Sequence, residues 1–342
     1  MCSSGCWAYS SVGVPPQTPT VYGWGPSVYG ISRLAAVLCL GALSGCALGR
    51  FGGAFLGRTL RVMTSPMARV PGRVTDPRRP EARLAVLWVG HATALVQLDD
   101  RFVLTDPVFT TAVGQLSQRL VEPGIAAEDV PQCAASVISH MHFDHLSQGS
   151  LGLLGARLGT VFVPRGAMVY VPPGPFDARE LGRWESHTVN GLRVTAVPVD
   201  HVGWRYGADA AWMTETFTGY VIEARGLTVY FGGDTAYAPA LFRETARRFP
   251  HIDLALLPIG PIHPREVMAR RHLDPDEALR AFELLGARWM VPIHFDTFIN
   301  SQDAPGEARR VLLESMARRG LGDDRVAVLP IGGQRVLIPR PL

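Results

Sequence analysis

The run His140-Met141-His142-Phe143-Asp144-His145 constrains this chain more than any other feature. A lone histidine is ordinarily a core or surface residue, and an aspartate alone can cap a helix. Neither reading accounts for three imidazoles and a carboxylate side by side. His140 and His142 are two residues apart, so in an extended segment their side chains point the same way. Asp144 and His145 follow where the apolar segment Ser136–Ser139, read as a strand, gives out. A strand end lets side chains converge on one point without being covered by core. Imidazole with carboxylate suits zinc, and accepts iron or manganese as well.

Three distant residues stand in the same kind of place. His201 follows Val197-Pro198-Val199-Asp200, Asp234 follows Tyr230-Phe231-Gly232-Gly233, and His294 ends Val291-Pro292-Ile293. Each lies just past an apolar strand, and the paired glycines read as a place where backbone approaches a metal closely. Composition removes other chemistries. Of five cysteines, only Cys133 lies outside the first 46 residues, so neither a disulfide framework nor a cysteine-rich zinc site can be built in the globular part. All 33 basic residues are arginine, which excludes Schiff-base lysines and the P-loop lysine. A net charge of +3 gives no reason to expect nucleic acid as a partner.

Organisation follows from pattern. Residues 1–30 are rich in Ser, Gly, Pro and Tyr without periodicity, and read as disordered or as upstream of the true translation start. Residues 31–46 hold Arg33, an apolar run from Leu34 to Leu43, and Ser44-Gly45-Cys46, the order of a secretory signal. Leu43-Ser44-Gly45-Cys46 resembles the bacterial lipobox, which implies export and a lipid anchor on Cys46; the alternative is a cytoplasmic chain in which this segment is no signal. Residues 47–80, with several prolines and arginines, read as a tether.

Residues 81–342 read as one catalytic domain. Strands are expected at Leu84–Val89, Thr93–Leu98, Arg101–Leu104, Thr160–Val163, Leu192–Val197, Gly219–Glu223, Leu227–Phe231, Leu254–Leu257, Trp289–Ile293, Arg325–Leu329 and Arg335–Ile338, besides Ser136–Ser139. The clearest helix opens at Asp274, with Pro275 at its first position, Glu277 completing a capping box and Gly286 as its stop. Ala238–Arg248 and Glu307–Arg319 are further helices. Such a pattern gives an α/β or α+β fold and no more.

The order His140-x-His142-x-Asp144-His145, then His201, Asp234 and His294, resembles the metallo-β-lactamase superfamily. Within it, the chain is similar to the N-acyl-phosphatidylethanolamine-hydrolysing phospholipase D family. The matching stretches include Trp88-Val89-Gly90-His91-Ala92-Thr93, Leu104-Thr105-Asp106-Pro107, Gly233-Asp234-Thr235, Leu257-Pro258-Ile259-Gly260, His272-Leu273-Asp274-Pro275 and Ile293-His294-Phe295-Asp296. The resemblance implies an αββα sandwich of two mixed sheets with helices outside. It implies that His140, His142 and His201 hold one divalent metal, that Asp144, His145 and His294 hold a second, and that Asp234 bridges them. Asp144 and His272 are the catalytic candidates, the first orienting a hydroxide and the second meeting phosphate or the leaving oxygen. Asp106 and His91 are candidates for orienting ligands. Arg205 and Arg265, beside ligand-bearing loops, are candidates for an anionic headgroup. One departure stands out: Val202-Gly203-Trp204-Arg205 follows His201, where the family tends to place an aromatic directly after the histidine.

The resemblance implies attack by a hydroxide, shared between two metals, on a phosphodiester of N-acyl-phosphatidylethanolamine or a related lipid, with a membrane close by. A lactonase or esterase of a small soluble substrate on the same metal core is the alternative, and a non-enzymatic metal-binding lipoprotein is a third reading.

Overall fold

The computed structural model describes residues 66–114 and 117–341, so the expected signal segment at 31–46 and the thirty residues before it lie outside the described residues. Among the described residues, no helix is long and apolar enough to cross a membrane.

The first strand shows how the core is made. β1 (Ala82–Gly90) is buried at every position but Arg83. Leu84, Val86 and Trp88 enter a core shared by two sheets, while Leu87 and Val89 enter a second core on the other face. Burial on both faces is why the strand reads as a continuous apolar run and not as an alternation. β2 (Thr93–Leu98) and β3 (Arg101–Thr105) complete an antiparallel meander, and the small hairpin β4 (Ala112–Val113) and β5 (Ser117–Gln118) follows. β6 (Ala135–Val137), β7 (Thr160–Pro164) and β8 (Asp177–Leu181) then add in parallel beyond β3. Helix α1 (Gln148–Leu154) covers this sheet with Leu151 and Leu154.

The second sheet repeats the plan. β9 (Ser186–Val189), β10 (Leu192–Val197), β11 (Gly219–Ala224) and β12 (Leu227–Phe231) are antiparallel neighbours, and β13 (Leu254–Pro258) and β14 (Trp289–Ile293) extend it in parallel. Helices α2 (Pro239–Arg248), α3 (Arg265–Met268), α4 (Pro275–Leu285) and α5 (Glu307–Arg319) belong to this half, and Phe242, Phe282 and Leu312 carry three of them into the shared core. The last strand, β15 (Gln334–Pro339), returns to pair with β1. The result is two mixed sheets with helices outside, the αββα sandwich.

Strand direction places the functional residues. Since β2 is antiparallel to β1 and β3, and β6 is parallel to β3, the strands β1, β3 and β6 all run one way. By the same reasoning β10, β12, β13 and β14 share a direction. His91, Asp106 and His140 follow the carboxyl ends of the first set, and His201, Asp234 and His294 those of the second.

The capping box at Asp274 and Glu277 forms, and Gly286 closes α4 in the left-handed conformation. Three expectations change. Arg325–Leu329 is not a strand: Val326 makes a single bridge to Met290, and Pro330, which has no N–H to donate, follows at once. Ser136–Ser139 leaves the sheet after Val137, because Ser139 turns into the site. The described part of the expected tether is docked, with Ala68 bridged to Val121, Val74 to Ile125, and Pro77 buried.

Candidate metal centre

Asp106 organises the site from beneath. It follows β3 with φ at 31°, a region that non-glycine residues seldom enter, and it is fully buried. Its Oδ1 accepts the Ser139 N–H at 2.6 Å, and its Oδ2 accepts the Ser139 hydroxyl at 2.7 Å. The same Oδ2 lies 2.6 Å from Nδ1 of His145, whose N–H donates to it. Ser139 Oγ lies 2.9 Å from Nδ1 of His140, so one carboxylate orients His145 directly and His140 through a hydroxyl. Backbone carbonyls do the same for two others: His201 Nδ1 donates to Arg271 O at 2.9 Å, and His294 Nδ1 to Gly260 O at 3.0 Å. With Nδ1 engaged outward, all four histidines turn Nε2 inward, the nitrogen a metal would take.

These nitrogens converge. His140 Nε2 lies 2.8 Å from His142 Nδ1, and His145 Nε2 lies 3.2 Å from His294 Nε2. Asp234 Oδ2 stands 3.1 Å from His294 Nε2, 3.4 Å from His145 Nε2 and 3.9 Å from His201 Nε2. The donors fall into overlapping groups whose atoms lie within 4.8 Å of one another: His140, His142 and His201; Asp144, His145, His294 and His91; and His140, His145 and Asp234. Asp234 therefore sits between a three-histidine group and a group containing Asp144.

Electrostatics suit this arrangement to cations. Burial, reinforced by neighbouring imidazoles, holds His140 well below the ordinary histidine value, and burial lowers His201 likewise. Burial also opposes charge on His145, but Asp234, Asp144 and Asp106 outweigh it and hold that residue well above its ordinary value. Asp144 and Asp234 stay ionised despite burial, because His145 beside the first and His294 beside the second favour the carboxylate. His142 Nε2, His201 Nε2, Asp234 Oδ1 and His272 Nδ1 are all buried without a hydrogen-bond partner among the described residues. Each such atom ordinarily costs on the order of 1–3 kcal/mol. Cations between the two groups would satisfy donors of this kind, so the residues present fit divalent metal ions.

The seven candidate ligands meet here, with His91 and His272 beside them and Asp106 beneath. His91 holds Asp144: its Nε2 donates to Asp144 Oδ2 at 3.0 Å and its ring centroid is 4.0 Å from that of His294. Burial, and then His294, push its pKa down to about 3, so it stays a neutral donor. His272 lies inside the cluster, with Nδ1 3.4 Å from Asp234 Oδ2 and burial lowering its pKa to about 4. The two arginines do not face an open site. Arg205 is buried, and Arg265 is engaged by Glu277, by Asp274 and by the His272 carbonyl. Gly233 has φ at 55°, and a Cβ there would stand 2.3 Å from Ser139 Cβ, so what approaches closely is the Ser139 side chain. Ser139 had no sequence signal beyond directly preceding the cluster.

Asp106→Asn keeps the shape but removes the charge that His145 and Ser139 share. The substitution is expected to weaken zinc binding about 10- to 100-fold, the range seen when a partner that orients a metal-binding histidine is lost. A competition titration against a chelator measures this, and unchanged affinity would contradict the assigned role.

Comparison with known proteins agrees with this geometry. The family model for a beta-lactamase superfamily domain matches residues 101–295. N-acyl-phosphatidylethanolamine-hydrolyzing phospholipase D 1 of Caenorhabditis elegans is 30% identical over 277 residues, 75% of this chain and 77% of that protein. A metal-dependent hydrolase of Exiguobacterium sp. is 29% identical over 237 residues, 69% of this chain and 95% of its own length. The solved structure of Igni18, a metallo hydrolase of Ignicoccus hospitalis, aligns with a TM-score of 0.55 at 22% identity, covering 74% of this chain and 97% of that one, and shows the fold alone. Family model, relatives and fold agree, and the chain belongs to the metallo-β-lactamase superfamily of metal-dependent hydrolases.

Proposed function

We propose that the protein is a phospholipase D-like phosphodiesterase with two divalent metal ions, zinc in the first instance, acting on N-acyl-phosphatidylethanolamine or related lipids. The observation that carries this reading is the division of the donors into two groups with Asp234 between them. His140, His142 and His201 would hold one ion, Asp144, His145 and His294 the other, and Asp234 would serve both. Metals so placed would lower the pKa of bound water and neutralise charge developing on phosphate oxygens.

The chain's own residues supply the rest. Asp144, kept ionised and oriented by the N–H of His91, accepts a hydrogen bond from the attacking water. His272, anchored between Arg265 and the capped start of α4, presents its ring within 5.2 Å of His201 and 5.7 Å of His294, in place to donate to a phosphate oxygen. The side of the site beyond His142 is aromatic. The Trp204 ring packs 4.9 Å from that of His142, Phe143 lies 5.5 Å from Tyr206, and Tyr170 lies 5.8 Å from Tyr206. Tyr206 is 62% exposed, which leaves an amphipathic ring beside the site for a substrate with apolar chains. The similarity to the phospholipase of Caenorhabditis elegans supports the same class.

Assays of the purified protein on N-acyl-phosphatidylethanolamine vesicles, and in parallel on acyl and sugar lactones, distinguish the readings. Head-group release from the lipid is expected, with at least 100-fold loss, on the order of removing a catalytic group, in His142→Ala and Asp234→Asn. Turnover confined to lactones would replace this proposal with the soluble-substrate alternative, and turnover surviving complete metal removal would contradict the metal chemistry.

Export and lipid attachment at Cys46 belong to the same reading, since an anchor would hold the enzyme beside its substrate. Mass spectrometry of the mature N-terminus is expected to find an acylated Cys46 as the first residue; unmodified residues preceding Cys46 would contradict it.

A further inference from the structure

Arg205 stands four residues after His201 and is only 5% exposed. Its Nη1 donates to the carbonyl oxygens of Met141 at 2.8 Å and Leu146 at 2.9 Å. Those two carbonyls bracket the run that contains His142, Asp144 and His145. Within the run, the amides of His145 and Leu146 close on the carbonyl of His142, and His140 is bridged to Phe217. The guanidinium carbon lies 4.2 Å from the ring centroid of Phe143, a residue of the same run. Arg205 is itself held: Asp209 Oδ2 accepts its backbone N–H and Asp209 Oδ1 that of Tyr206, both at 2.8 Å. Tyr170 fixes Asp209 in turn, its hydroxyl donating to Oδ2 at 2.6 Å.

Packing alone does not call for an arginine here. Among the described residues no carboxylate is paired with the guanidinium, and its Nε is buried without a partner. Burying a cation in this way is costly, and a methionine of similar length would fill the space without that cost. What an arginine adds is a rigid planar fork, able to reach two carbonyls from one nitrogen while lying against an aromatic face.

Building on the two-metal reading, we propose that Arg205 is a positioning residue. It ties the loop bearing His142, Asp144 and His145 to the loop bearing His201, and so sets the spacing of the donors for both metals.

The test uses the full chain as wild type, Arg205→Met and Arg205→Lys, each stripped of metal by chelation. Three quantities are read: the thermal midpoint of the metal-free protein, zinc affinity by competition titration, and the cobalt(II) absorption spectrum. Arg205→Met is expected to melt within a few degrees of wild type when metal-free. Its zinc affinity should fall about 10- to 100-fold, with an altered cobalt spectrum, and Arg205→Lys should recover part of both. A folded Arg205→Met with wild-type affinity and spectrum would overturn the proposal, as would an affinity loss no larger than its unfolded fraction explains. If Arg205→Met does not fold, Arg205→Lys decides alone: weakened affinity in the folded protein supports the proposal, and wild-type affinity and spectrum overturn it. Wild-type protein that binds neither zinc nor cobalt would instead overturn the metal reading on which the proposal rests.

Discussion

Asp106 is the residue on which the rest of the site is hung. Its carboxylate, buried where β3 and β6 end side by side, accepts the amide and hydroxyl of Ser139 and the imidazole N–H of His145. A carboxylate in that position is costly to bury unless every lone pair is used. Using them fixes the place where the chain leaves β6 and enters the histidine run. His145 is oriented directly and His140 through Ser139. The left-handed backbone of Asp106 is part of the same constraint, and His91, His294 and Asp296 also carry positive φ around the site. Strain at such positions is what a fold accepts where side-chain geometry is fixed by chemistry more than by backbone preference.

The two sheets convert that local arrangement into convergence. Strands sharing a direction deliver their following residues to one edge of each sheet, and the sandwich brings the two edges together. One side contributes His140, His142, Asp144 and His145, and the other contributes His201, Asp234 and His294. Buried apolar strands supply the rigidity: β13 and β14 are buried along nearly their whole length, so His294 is carried on a fixed support. Around this frame lies a rim of aromatic side chains from the loops after β6, β7 and β10, which is where preference for an apolar substrate would be set.

Much of this was legible in the chain because both signals are local. Continuous apolar runs marked the buried strands, and Thr93–Leu98, Leu192–Val197 and Leu227–Phe231 occur with the bounds expected of them. Other elements left no such mark. β8, Asp177–Leu181, and β9, Ser186–Val189, are edge strands with half-exposed polar residues, so they show no apolar run. Arg325–Leu329 shows the opposite error: Val326 and Ala327 are buried in the core, yet they form only one rung with β14. In the site, the metal-binding candidates were readable because three imidazoles stood together and the rest followed strands. The contacts of Ser139 and Arg205 were not: a serine before the cluster has no pattern of its own, and Arg205, one arginine among 33, read only as a candidate for an anionic headgroup. Those contacts run across the fold, as do the ones that engage Arg265 away from an open site.

The proposed function rests on two groups of donors that share Asp234 and would hold two metal ions. Titrating zinc into metal-stripped protein, while following bound metal and phosphodiesterase turnover on the same sample, tests it most directly. Saturation at two ions per chain is expected, with turnover returning only as the second is bound. Saturation at one ion with full turnover would contradict it.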